Sequence, residues 1–117
     1  MNSTPETTPT FARTVTNARK RLGLSQKQLA DAVRNEDGKP ISPQYVNDLE
    51  RDRRNPPSDY LLDQLAKALQ LPREYLEYLA GRMPADFRGM SDSPERVEAA
   101  FQAFRRALSP RDEKGTR

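Results

Sequence analysis

The chain has 117 residues, 34% of them hydrophobic, and a net charge of +3 with a pI near 9.4, which suits one small domain plus tails. It contains neither Cys nor His, which excludes disulfides, the usual zinc ligands and the Cys–His and Ser–His–Asp catalytic arrangements; no metal and no cofactor is expected. No apolar run is long enough to span a membrane, and MNSTPETTPT has neither the charged start nor the apolar segment of a signal peptide, so the expected compartment is the cytoplasm.

Residues 1–10 have nothing to bury and are expected to form a disordered tail. From Phe11, apolar positions recur at Val15, Ala18 and Leu22, the stripe of an amphipathic helix that Gly23 stops. In LSQKQLADAVRN, Ser25 and Gln28 form a capping box, Leu24 and Leu29 a hydrophobic staple, and Leu29, Ala30 and Val33 an inward face. The polar turn NEDGKP follows. In ISPQYVNDLE, Ser42 is an N-cap, Pro43 suits the first helical position, and Ile41 with Val46 forms a second staple. Val46 and Leu49 then face inward, leaving Gln44, Tyr45, Asn47 and Asp48 outward. Gln and Asn carry a donor and an acceptor on one planar amide, the shape that pairs with a base edge. Asp48 is expected to pair with Arg51, three residues on.

RDRRNPPSD reads as a proline-bounded basic loop, after which Ser58 caps a fourth helix with Leu61, Leu62, Leu65, Ala66 and Leu69 on its apolar stripe. Leu71-Pro72 opens a fifth, with Tyr75, Leu76 and Leu79 inward and Gly81 as its stop. Residues 82–93 read as a linker. Ser93-Pro94-Glu95 restarts a helix over 94–108, in which Val97, Phe101, Phe104 and Leu108 form a short heptad-like seam. Two heptads are too few for an isolated coiled coil, so the seam must pack on its own domain or on a partner. Residues 109–117 are expected to be a disordered tail.

Charge is concentrated between Phe11 and Asn55, where ten Lys/Arg face six Asp/Glu. That segment supplies all of the positive surplus, the balance phosphate binding requires.

Taken together, SQKQLA, ISPQYVNDLE, the basic loop and LLDQLAKALQL resemble the helix-turn-helix of the phage repressor and Cro (XRE) family, across residues 11–80. The resemblance implies an all-α fold: a five-helix repressor-like domain over 11–81 plus the C-terminal helix. It also implies binding to double-stranded DNA, with the helix that starts at Pro43 in the major groove. Residue by residue, it implies base reading by Gln44, with Tyr45 and Asn47 on the same arc. It implies phosphate contact by Gln26, Arg53 and Arg54, and a structural ion pair between Arg19 and Glu50. The turn between Ala30 and Ser42 is longer than the family's usual spacing. This insertion, Arg34 to Pro40, is expected to bulge from the motif at little entropic cost, and either adds a phosphate contact through Lys39 or is solvated. Pro43 stands where many relatives place a base-reading side chain, which shifts readout toward Gln44, Tyr45 and Asn47.

The expected function is a sequence-specific transcription regulator, a repressor that binds a pseudo-palindromic operator as a homodimer, nucleoid-associated in the cytoplasm. The rival on the same fold is a protein-interaction module, an antitoxin-like partner of another protein. Val97, Phe101, Phe104 and Leu108 are the candidate dimer contact, and packing back onto their own domain is the other reading. An enzyme built on Glu74 and Glu77 of a surface helix would lack a clustered base, nucleophile or metal ligand, so no enzyme is expected.

Overall fold

The local signals resolve into helices where side chains can close the free ends of the backbone. The computed structural model describes residues 9–110, and the expected tails over 1–8 and 111–117 lie outside them. Thr10, placed in the N-terminal tail from sequence, instead caps α1 (Phe11–Arg21), its side chain accepting from the Arg13 amide at 3.1 Å. Ser25 and Gln28 form the reciprocal capping box of α2 (Gln26–Ala32). Ser42 Oγ accepts from the Tyr45 amide at 3.0 Å and Pro43 opens α3 (Pro43–Glu50). Ser58 caps α4 (Asp59–Leu69), and Pro72 leads into α5 (Arg73–Leu79). A single 3-10 turn, Ala85–Phe87, precedes α6 (Pro94–Leu108), capped by Ser93. The described residues are thus all-helical, apart from one isolated bridge. None of these helices is long and apolar enough to cross a membrane.

The described chain divides between Ala85 and Asp86 into two compact units. In the first, α3 packs on α1 and α2, and α4 packs on α1 and α5. Val15 and Ala18 of α1, Leu29 and Ala30 of α2, Val46 and Leu49 of α3, Leu62, Leu65 and Leu69 of α4 and Leu76 of α5 close one core with essentially no exposure. Each buried Leu or Val contributes roughly 1.5–3 kcal/mol of transfer free energy. Helix α3 is therefore anchored from below by two of these side chains and flanked by two helices.

Three local outcomes differ from the sequence reading. The insertion before α3 is a hydrogen-bonded hairpin: Arg34 bridges Pro40, and the Asn35 amide donates to the Lys39 carbonyl at 2.8 Å. Asn35 Oδ1 accepts from the Asp37 and Lys39 amides, and Gly38 takes φ +81° to reverse the chain. In α5, Tyr75 was expected inward but is 38% exposed, while Glu77 is buried. The short helix is turned so that Leu76 and Glu77 face in. Arg73 approaches the Glu77 carboxylate at 3.6 Å. Glu77 is therefore no half of a surface carboxylate pair with Glu74. Last, Arg82, read as linker, donates to Asp59 and to the Pro56 carbonyl, joining the end of α5 to the start of α4.

Gln70 ends α4 in the left-handed conformation, φ +59°. The Leu71 amide reaches Ala66 O at 2.9 Å and the Gln70 amide reaches Lys67 O, the paired bonds of a Schellman ending that normally takes Gly. An exposed L-residue there costs about 1 kcal/mol. Gln70→Gly is accordingly expected to raise the melting temperature by about 4–8 °C. An unchanged or lower Tm in calorimetry would count against that cost.

Candidate nucleic-acid interface

Two linked groups of side chains surround α3. The first holds it in place. Arg19 of α1 grips Glu50 with both arms, Nε to Oε2 at 2.6 Å and Nη2 to Oε1 at 3.0 Å, and its Nη1 donates to the Leu24 carbonyl at 2.8 Å. The two side chains are only 11% and 5% exposed. Gln26 Nε2 donates to Glu50 Oε1 at 3.1 Å and to Asn47 Oδ1 at 3.2 Å, and Arg51 Nε donates to the same Asn47 oxygen. One network therefore ties α1, the start of α2 and the second turn of α3. Burial pushes the Glu50 carboxyl up, but bonds from Arg19, Gln26 and Thr16, with the Arg19 charge, outweigh it and hold the group below the usual carboxylate range. The bond to Glu50 raises Arg19 above its ordinary value against the opposing effect of burial.

The second group orients the outer face. Gln44, exposed in the first turn of α3, donates from Nε2 to Asp48 Oδ1 at 2.9 Å. Asp48 Oδ2 lies 3.8 Å from Arg54 Nε, and the Arg54 guanidinium carbon lies 4.8 Å from the centre of the Tyr45 ring. Tyr45 is half-buried against the core edge. Burial raises its phenol above the ordinary value, Arg54 opposes that and Glu36 adds to it, so the hydroxyl stays a donor at neutral pH. The turn after α3 depends on Asp52 at φ +59°, with the Arg53 amide on Asp48 O at 2.8 Å and the Asp52 amide on Leu49 O. That reversal leaves Arg53 exposed in the loop and brings the exposed Arg54 back along α3 to Asp48 and Tyr45.

The residues singled out from sequence are thus placed unequally. Gln44, Tyr45 and Arg54 share one outward cluster, and Arg53 adjoins it in the loop. Asn47 and Gln26 are half-buried and face each other. The carbonyl oxygen of Asn47 is taken twice, and its NH2 group is what it retains for a ligand. Lys39 is exposed on the second arm of the hairpin and joins neither group. Arg34 and Lys39 are balanced there by Glu36 and Asp37, and Ser58 donates to Glu36 at 2.9 Å, pinning the hairpin to the start of α4. Val97, Phe101, Phe104 and Leu108 belong to the second unit and are 40–53% exposed. The expected Asp48–Arg51 pair does not form: Arg51 bonds Asn47, and Asp48 serves Gln44 and Arg54. The orienting role of Asp48 was missed, although its i, i+4 spacing from Gln44 is the signal that marks it.

The family model described as helix-turn-helix matches residues 16–76. A solved structure described as the SinR protein/SinI protein complex is similar over 84% of this chain and 99% of that chain, with 19% identity and a TM-score of 0.48. A comparison with curated proteins gave no match.

Proposed function

This chain belongs to the helix-turn-helix family of the phage repressor and Cro type, and from that premise we propose that it is a repressor that binds a pseudo-palindromic operator as a homodimer. In this reading α3 enters the major groove with Gln44 and Tyr45 leading and the Asn47 amide behind them. Arg53 in the loop and Arg54 beside Tyr45 grip phosphates, and Lys39 adds a backbone contact from the hairpin. Gln26, the bridge to Asn47 and Glu50, fixes the pitch of α3 and offers its remaining side-chain oxygen to the edge of the site. Repression is steric, by covering promoter DNA, and the protein works in the cytoplasm, on the nucleoid.

The observation that carries this reading is the outward cluster on α3. An exposed glutamine amide is held by Asp48, itself flanked by Arg54, and the whole helix is fixed to α1 and α2 through Glu50. A rigid helix carrying a pre-oriented amide, followed by a basic loop, is the arrangement that separates base reading from phosphate anchoring.

Salt dependence tests the proposal. Affinity for duplex DNA should fall steeply as salt rises, and Arg53→Ala should flatten the log–log slope by about one unit whatever sequence is bound. Fluorescence anisotropy over a salt series reads both quantities. Absence of salt-sensitive duplex binding at low ionic strength would sink the proposal.

A further inference from the structure

Helix α6 carries an apolar seam with Val97, Phe101 and Leu108 at 40%, 41% and 53% exposure, and Phe104 in register between the last two. Its flanks are unlike each other. On one side lie Glu98 and Arg105, both exposed and, among the described residues, in no ion pair. On the other lie Ala100 and Ala107. A groove beside the seam is lined by Pro94, Val97, Glu98, Phe101 and Arg105.

We infer that α6 pairs antiparallel with α6 of a second copy, in the register that sets Glu98 of each chain against Arg105 of the other. This rests on the self-association proposed above and specifies its surface and orientation. With Val97 opposite Leu108 of the second copy and Phe101 opposite its Phe104, residues on the same flank of the two helices meet across the seam. Glu98 then meets Arg105 twice, once at each end of the two-fold contact. On the far flank, Ala100 meets Ala107 twice, and their small side chains let the helices approach closely. A parallel pair crosses the flanks instead, setting Arg105 beside Ala100 and Glu98 beside Ser93, so neither charge finds an opposite. Antiparallel alignment also sets the Glu95 and Glu98 end of one helix beside the Arg105 and Arg106 end of the other, and opposes the two helix dipoles favourably. Because the contact is isologous, every pair in it is formed twice.

Sedimentation equilibrium of the full chain tests this with a charge swap. E98R alone places Arg against Arg105 twice, and R105E alone places Glu against Glu98 twice; each should weaken the dimer by roughly tenfold or more. The double variant E98R/R105E should return the dimer to within about threefold of the parent, because it restores opposite charges in the same geometry. All of these positions are exposed, and circular dichroism checks that each variant keeps its helices. Since the chain has no Cys, orientation has a direct readout: V97C and L108C chains mixed under mild oxidation should cross-link to each other, and V97C alone should not. A dimeric parent that ignores both single reversals, or V97C chains that cross-link among themselves, would overturn the antiparallel pairing and leave the homodimer reading intact. A parent that stays monomeric at every concentration would overturn both.

Discussion

Glu50→Ala is expected to destabilise the helix-turn-helix unit by about 3–5 kcal/mol, the cost of stranding one member of a buried ion pair. The Glu50 carboxylate accepts twice from Arg19 and once from Gln26 at 5% side-chain exposure. Its removal leaves the Arg19 guanidinium, itself 11% exposed, with the Leu24 carbonyl alone. A unit of this size has a total stability on the order of 5–10 kcal/mol, so the loss is a large part of the whole. The contrast is Lys27–Asp31, where the side chains are 74% and 60% exposed; Lys27→Ala should hardly move the midpoint of urea unfolding. Arg19→Met combined with Glu50→Leu should lose less than either single truncation would suggest, because no charge is left buried alone. The pH dependence follows from the depressed Glu50 carboxyl. Its contribution is fully present above the unfolded value of about 4.3 and is lost as pH falls through the lower folded value. Glu50→Gln should therefore flatten the acid limb of stability between those two points. A loss under about 1 kcal/mol for Glu50→Ala would mean that the pair behaves like a surface one.

This pair also marks what could be read without coordinates. Helix starts were legible because capping is a local rule: Ser25 with Gln28, Ser42 with Pro43, and Ser58 each solve the free-amide problem within one turn. The inward faces of α1 to α4 follow the 3.6-residue period: most of their residues are buried, Phe11 and Leu61 pack at the edge of the core, and Leu22 is only half-buried. Arg19 and Glu50 lie 31 residues apart, beyond the reach of any period, and were named only through a resemblance between motifs. Side-chain direction was harder. Gln26 opens α2, where a side chain is free to turn outward, but Glu50 and Asn47 offer it two acceptors on the protein side. The rotation of α5 was hidden because Tyr75 and Glu77 flank Leu76 on opposite sides, and Leu79, four residues on from Tyr75, drew the apolar stripe to the tyrosine side. The hairpin before α3 read only as a polar turn, since it has one bridge and no strand to alternate, and its order comes from Asn35 bonding its own loop.

Gln44→Ala is expected to remove discrimination at one operator base pair, by about 1–3 kcal/mol, while leaving the salt slope unchanged. The chemistry can be followed atom by atom. One Nε2 hydrogen of Gln44 is committed to Asp48 at 2.9 Å. That leaves a second Nε2 hydrogen and the Oε1 lone pairs, one donor and one acceptor on the same plane. Adenine presents the complement in the major groove, an N7 acceptor beside the N6 donor, so the intramolecular bond and a bidentate base contact can coexist. On the proposed reading Asp48 does more than offset charge, since it fixes the amide before DNA arrives and lowers the ordering cost of binding. Asp48→Ala should weaken the same preference to a smaller degree, leaving Gln44 intact but free to rotate. Selection of bound duplexes from a random pool, followed by competition between single-base variants of the selected site, reads both effects. If Gln44→Ala retained the parent's preference at every position, base reading would have to come from Tyr45 and the Asn47 amide. The Gln44–Asp48 bond would then be only a helix-surface contact worth a few tenths of a kcal/mol.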